Sequence, residues 1–381
     1  MGWIRSIALP VVLVSLLITG VGCRPEGRGA DRLAESSSAA DEVDSNLVFN
    51  NITLEQVDEN GELLWKVDAE QAVYSPDQRN ADIINPDGEL YQGGKAVYQI
   101  QAEKGEIRRD GNRIFMRGNV VATDIESGAV LRGDEMEWQP YEDLLIVKGN
   151  LTGTHPQLRF TAIEARATNE DRQIELFGAP IEAFTEEEPK LRLQGERLIW
   201  KLDEEMVISE RPVQVQQFEG EQVTNQANGN AAEVNLQAKT IRLMQTAILT
   251  LADPPLQLSG DAFLWNIDQQ TLISDQPITA FQREENIIMT ANQGRIEYDP
   301  QIAYFTGNVR ASGLDDQSLL TSDRLTWNIA SQQVDAEGNV VYTQPDPPTT
   351  LRGPRAVGKL QDQTIVVSGG RVETQIIPNL Q

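Results

Sequence analysis

Cysteine and histidine are nearly missing from this chain: Cys23 and His155 are the only ones. One thiol cannot close an internal disulfide, so no covalent staple is expected. One imidazole with no thiol nearby cannot complete a Cys/His zinc site, so no metal is expected. A Ser-His-Asp triad would have to use His155. That residue sits in the turn-like phrase "GTHPQ", the setting of a solvated bystander. No GxSxG, HExxH, P-loop or GxGxxG occurs, and carboxylates are too evenly spread to mark a catalytic pair. Neither enzyme chemistry nor a cofactor is expected. Basic residues are also scarce, 32 Lys+Arg against 58 Asp+Glu, for a formal net charge of -26. Nucleic-acid phosphates need a basic footprint, and so does docking on an anionic membrane surface, so both are excluded as partners. Aromatics are few, yet Val, Ile, Leu and Thr are plentiful, which excludes compositional disorder.

Long apolar runs are missing too, except at the start. After Arg5, residues 6–22 are uncharged and mostly apolar. About seventeen residues is short for a spanning helix and slightly long for a secretory apolar segment. Cys23 follows Thr19-Gly20-Val21-Gly22, the small-residue context of bacterial lipoprotein processing, although Gly20 stands where a bulky apolar residue is usual. A retained helix and a lipid anchor at Cys23 both fit. Either way, residues 1–23 are expected to tether the rest outside the cytoplasm. Residues 24–45 are polar, rich in Ser and Ala and without apolar period, as in a flexible linker.

From residue 46 onward the pattern is strand-like, with alternating apolar and polar residues and recurrent Asn-Gly and Asp-Gly turns. No amphipathic helix is evident there. Trp138, Trp200, Trp265 and Trp327 are 62, 65 and 62 residues apart. Five positions before each stands Gly133, Gly195, Gly260 or Ser322, and then an acid: Asp134, Glu196, Asp261, Asp323. Twelve and thirteen positions after come Asn150-Leu151, Pro212-Val213, Pro277-Ile278 and Asn339-Val340. A half-period of 31 separates Gly118 from Gly149, and likewise Gly307, Gly338 and Gly369, with Ile107 and Ile296 at the tryptophan position between copies. The glycine is lost near Leu243. Trp65 does not fit the spacing and is expected to open an atypical terminal repeat.

Thirty residues correspond to roughly three strands of ordinary length, with the acids, Gly-Asn pairs and prolines expected at turns. Each tryptophan is expected mid-strand, sharing one dry face with its apolar neighbours at ±2. These are Met136; Leu198 and Leu202; Phe263 and Ile267; Leu325 and Ile329. The wet face carries Glu137, Lys201, Asn266 and Asn328. Stacked units then build two facing sheets, roughly thirty strands in all and on the order of 70–80 Å long per layer. The dry face is either a packed core or the wall of a groove for acyl chains.

Two stretches, "AEKGEIRRDGNRIFMRGNVVATDIESGAVLRGDEMEW" and "TANQGRIEYDPQIAYFTGNVRASGLDDQSLLTSDRLTW", place Gly-Asn-Val at the end of one strand and a Gly/Ser-acid start before the aromatic. Together with the N-terminal anchor they resemble the LptC component of the lipopolysaccharide transport (Lpt) system, with LptA/OstA-like repeats, over most of residues 47–372. The resemblance implies an elongated all-β antiparallel jellyroll or taco with one N-terminal anchor helix. Residues 46–190 would form a first LptC/OstA-like portion and 191–381 a second, continuous with it. It implies an inner-membrane-anchored periplasmic protein with lipopolysaccharide or a similar lipid in its interior. Its partners would be the permease subunits of an ABC transporter, and LptA-type or outer-membrane Lpt proteins through sheet edges near residues 47–54 and 364–376. The chain is about twice the usual LptC length. The strong acidity suggests grip through acyl burial rather than phosphate contacts. The alternatives are a surface structural or adhesive β-repeat protein with a packed core, and a β-helix carbohydrate-active enzyme, which the regularly placed acids disfavour.

Overall fold

The computed structural model describes residues 47–108, 112–359 and 364–376; the expected anchor, Cys23 and the linker lie outside them. No helix among the described residues is long and apolar enough to cross a membrane. Residues 46–381 form one compact unit. Among the described residues it contains 28 strands, from Leu47–Val57 to Glu373–Ile376, joined in one meander in which every pairing is antiparallel. Seven rungs of this meander are interrupted in the middle and count as two strands each, leaving 21 rungs. The strand Lys190–Lys201, for instance, pairs with both Met206–Ser209 and Val213–Glu219.

Each rung is creased, so one strand serves both layers. The two layers are two arms of a single folded sheet, which corrects the expected three strands per half-unit. A 31-residue half-unit is two long rungs, and each arm carries all 21. At about 4.8 Å per step the ladder runs about 95 Å rather than 70–80 Å.

The sequence motif makes the crease rather than the turns. In the strand Arg113–Asp124, Gly118 and Asn119 both take positive φ, 81° and 45°. Two residues there face one on the neighbouring strand, since Arg117 pairs with Glu135 and Val120 with Gly133. Such a bulge bends and twists a strand. Gly149-Asn150, Gly307-Asn308 and Gly338-Asn339 repeat it. The acid of the adjacent rung lies over the glycine. A Cβ on Gly149 would come 2.6 Å from Asp134 Oδ2, and one on Gly338 2.4 Å from Asp323 Oδ2. The same carboxylates accept from the asparagine amides, Asn150 to Asp134 at 2.7 Å and Asn339 to Asp323 at 2.9 Å. Glycine is there because a side chain would collide, and asparagine because it tolerates the left-handed region and reaches the acid.

On the acid-bearing rungs the inward phase changes at the crease. Buried residues step by five there: Leu131 to Met136, Leu193 to Leu198, Leu258 to Phe263, Leu320 to Leu325. That step fixes where the small-acidic pair must fall. Where proline replaces Gly-Asn the rung is broken instead. Ser209 and Ser274 then hold the gap by donating to the Arg211 and Gln276 carbonyls at 2.8 and 2.9 Å. The lost glycine near Leu243 is replaced by Gln245 and Thr246, which keep positive φ at 59° and 71°.

Gly149→Ala should cost about 1–2 kcal/mol, the penalty for a Cβ in the left-handed region. A urea midpoint unchanged within error would mean that the crease relaxes freely.

Candidate functional site

Cross-strand pairing threads one row of side chains through every rung of one arm. It includes Ile114–Trp138–Leu145, then Ile174–Trp200–Val207, Ile241–Trp265–Leu272 and Ala303–Trp327–Val334. The row begins at Leu47 and ends at Ile365. Each fourth rung supplies a tryptophan, and Ile107 and Ile296 stand two rungs before Trp138 and Trp327 in the same row. A matching row lines the opposite arm and contains Leu131, Gly153, Phe160, Ala183 and Leu193. Farther on it passes through Leu258, Ala280, Met289, Ala311, Leu320 and Tyr342.

The four tryptophans are 0–1% exposed. They stand next to last in their strands, close to the rim rather than mid-strand. Met136, Leu198, Phe263 and Leu325 are buried one position closer to the crease on the inner face. Ile267 and Ile329 are buried and Leu202 half-buried in the rim turns that follow. There their N–H groups donate to the carbonyls of Lys239, Gln301 and Arg172 on the preceding turn at 3.1, 2.9 and 2.9 Å. Trp65 is also buried, and its pairing with Leu90, and of Leu90 with Tyr98, puts it on the opposite arm. It is therefore four rungs before Trp138, in phase by rung count although not by residue count.

The arms meet at their aromatics. Tyr98 of the opposite arm stands edge-on to Trp138 with centroids 5.9 Å apart, and Phe160 to Trp200 at 6.4 Å. Phe160 lies over Gly153, where a Cβ would come 2.0 Å from its ring. Burial holds the proton on the Tyr98 hydroxyl well above the ordinary phenol range. Polar pairs close the mouth above these rings, each joining turns 47 or 48 residues apart. Arg172 Nη1 donates to Asp124 Oδ2 at 3.1 Å, Gln301 to Asp253 at 3.0 Å and Gln332 to Glu285 at 2.8 Å, and Gln157 donates to Glu205. Near Trp138 the interior void is only about 10 Å³. Beyond Trp327 the arms part around a cavity of about 310 Å³. Met289, Ala311, Leu320 and Tyr342 of one row and Val334 and Ile365 of the other line it. Glu284, Glu285, Asp315, Asp316 and Asp346 stand around its mouth.

His155 is not the solvated bystander that its turn suggests. It is half-buried, its ring edge-on to Trp200 at 4.8 Å, with Nδ1 accepting from the Gln157 N–H at 3.2 Å. Burial lowers its pKa from 6.5, against the opposing pull of a hydrogen bond to the Ser127 backbone and of Asp124 and Glu205. Between the lowered folded value and 6.5 the unfolded chain binds more protons. Stability is therefore fully present above pH 6.5 and falls as the pH drops from there. The NMR titration of this single histidine should lie below 6.5, and His155→Gln should flatten stability between pH 5.5 and 7. A folded titration at or above 6.5 would contradict the burial.

The sequence pattern missed the opposite-arm row and the polar pairs across the mouth. The first was hidden by the phase change at the crease. The second joins residues with no shared motif, although Arg172, Gln301 and Gln332 all take positive φ at 48–62°.

A family model described as lipopolysaccharide-assembly, LptC-related, matches residues 11–179 and 263–376. No curated protein matches the sequence. Among solved structures, the chain is similar to LptH of Pseudomonas aeruginosa, described as the LptA-homologous periplasmic component of the conserved lipopolysaccharide transport device. That match covers 31% of this chain and 83% of LptH at 14% identity, with a TM-score of 0.28. The stretch between the family matches, 180–262, carries Trp200 in the same row as the other three tryptophans.

Proposed function

Because the chain belongs to the LptC-related family of lipopolysaccharide-assembly proteins, and so takes part in lipopolysaccharide transport, we propose that it is a non-enzymatic conduit shielding acyl chains between its arms. Residues 1–23 anchor it in the inner membrane and the sheet extends into the periplasm. Residues 46–190 and 191–381 act as two portions of one continuous path from the ABC transporter toward the outer membrane. The observation that carries this reading is the pair of facing, mostly apolar rows, of which the tryptophan row runs from the first rung to the last. Burial at about 0.8 kcal/mol per CH₂ gives such walls enough grip without phosphate contacts. The cavity beyond Trp327 is where chains enter or leave.

The two ends of the ladder are the docking edges. Among the described residues, Leu47–Val57 pairs on one side only and exposes Leu47, Val48 and Phe49. Thr364–Ser368 and Glu373–Ile376 pair only with Thr349–Lys359. Open edges of this kind accept a further strand, as the permease subunits and an LptA-type or outer-membrane Lpt protein would supply.

The near-complete burial of the four tryptophans favours one alternative, a structural repeat protein whose interior is packed shut. A photocrosslinker at Leu198 or Ile267 separates the two. Capture of a lipopolysaccharide-like lipid in cells is expected. No lipid captured there or at any other inward position would leave the packed protein.

A further inference from the structure

The Nε1 atoms of Trp138, Trp200, Trp265 and Trp327 are all buried without a hydrogen-bond acceptor. An indole N–H can only donate, and buried donors are almost always paired because leaving one unpaired costs free energy. Here the cost recurs at the same place in four register-matched copies. Packing alone does not require it, since the intervening positions of the row are filled by Ile, Leu, Val and Ala. Nor do the flanking row residues offer a side-chain acceptor: those beside Trp265 are Ile241 and Leu272, and those beside Trp327 are Ala303 and Val334.

Resting on the conduit reading, we propose that these four indoles are the hydrogen-bonding stations of the path. Each donates its Nε1–H to an oxygen of a passing lipid. The ligand class is an acyl lipid with an uncharged acceptor on or at the head of the chain: an ester, an amide or a hydroxyl. The apolar walls take the chain and the indole fixes its depth. An ionised phosphate does not fit, because one neutral donor in a dry wall does not replace its water. Four rungs separate successive stations, about 19 Å of ladder, so one oxygen meets one indole at a time. Trp327 is the station beside the open cavity, because its row neighbour Val334 lines it. The neutral Gln332 amide closes the mouth beside it by donating to Glu285. Loading the buried stations requires the arms to part along the same polar seam.

The test uses the full chain, labelled with ¹⁵N at the indoles and held in alkyl maltoside micelles, titrated with methyl tetradecanoate or with pentadecane. Both probes should bind, but only the ester should move an indole N–H proton downfield, first at Trp327. Trp327→Phe should weaken ester binding about three- to tenfold, the worth of one neutral hydrogen bond, and leave pentadecane binding unchanged. Two results would overturn the donor role while leaving the conduit in place. One is ester binding with no indole shift beyond that caused by pentadecane; the other is an equal loss of both probes in Trp327→Phe. Binding of neither probe to the unsubstituted chain would overturn the conduit, and the stations with it.

Discussion

Arg172→Ala should lose about 3–5 kcal/mol of folding stability, the usual cost of breaking a buried ion pair from one side. The Arg172 side chain is 15% exposed and that of Asp124 5%, and they join opposite rims. Asp124 Oδ1 also accepts from the Ser127 N–H at 2.6 Å, and Arg172 reaches Asp203 at 3.3 Å. Removing the guanidinium strands the Asp124 carboxylate beneath the seam, close to the Tyr98–Trp138 contact. Replacing both partners with apolar residues, Asp124→Leu with Arg172→Met, should recover most of the loss, since the stranded charge causes it. Urea unfolding followed by tryptophan fluorescence measures both variants. A loss below about 1 kcal/mol for Arg172→Ala, the range of an exposed pair, would mean that the mouth is open here in solution.

Trp265→Ala should cost about 3–5 kcal/mol, as large-to-small truncations in packed cores do. Its ring is fully buried between Ile241 and Leu272 and backed by Phe263. The form of the loss is informative. Contacts reach only a few rungs along the ladder, by strand pairing and across the interior, so stability is a chain of local terms. The denaturation curve should therefore split, with an early transition for the rungs around 240–300 and a later one for the remainder. Trp265→Phe keeps most of the volume and should cost far less. Tyr141→Ala, at a residue 62% exposed, should stay within about 0.5 kcal/mol. One unsplit transition shifted by less than about 1 kcal/mol would contradict a packed ring at this position.

Much of this architecture was legible before folding. The recurring tryptophan and its apolar neighbours identified one inner wall, and Ile107 and Ile296 gave the half-unit its place in the row. What the motif did was misjudged. Gly149-Asn150 and Asp134 look like turn chemistry because positive φ and a side-chain cap suit turns equally well. Only the pairing of the neighbouring rung turns them into a mid-strand bulge. Trp65 was set apart by counting residues, whereas the sheet counts rungs, and the interrupted early strands use more residues per rung.

Composition and period by themselves determined that this chain is a β repeat with one dry face per strand, since side-chain alternation and a fixed spacing of large apolar residues admit little else. The tertiary structure decided which residues face each other across the interior. It set Tyr98 against Trp138, Arg172 against Asp124 and Phe160 over Gly153, and it parted the arms around a cavity beyond Trp327. Such contacts depend on how far a creased, twisted sheet carries one rim past the other. That offset accumulates from every bulge along the ladder, so no local stretch of sequence encodes it.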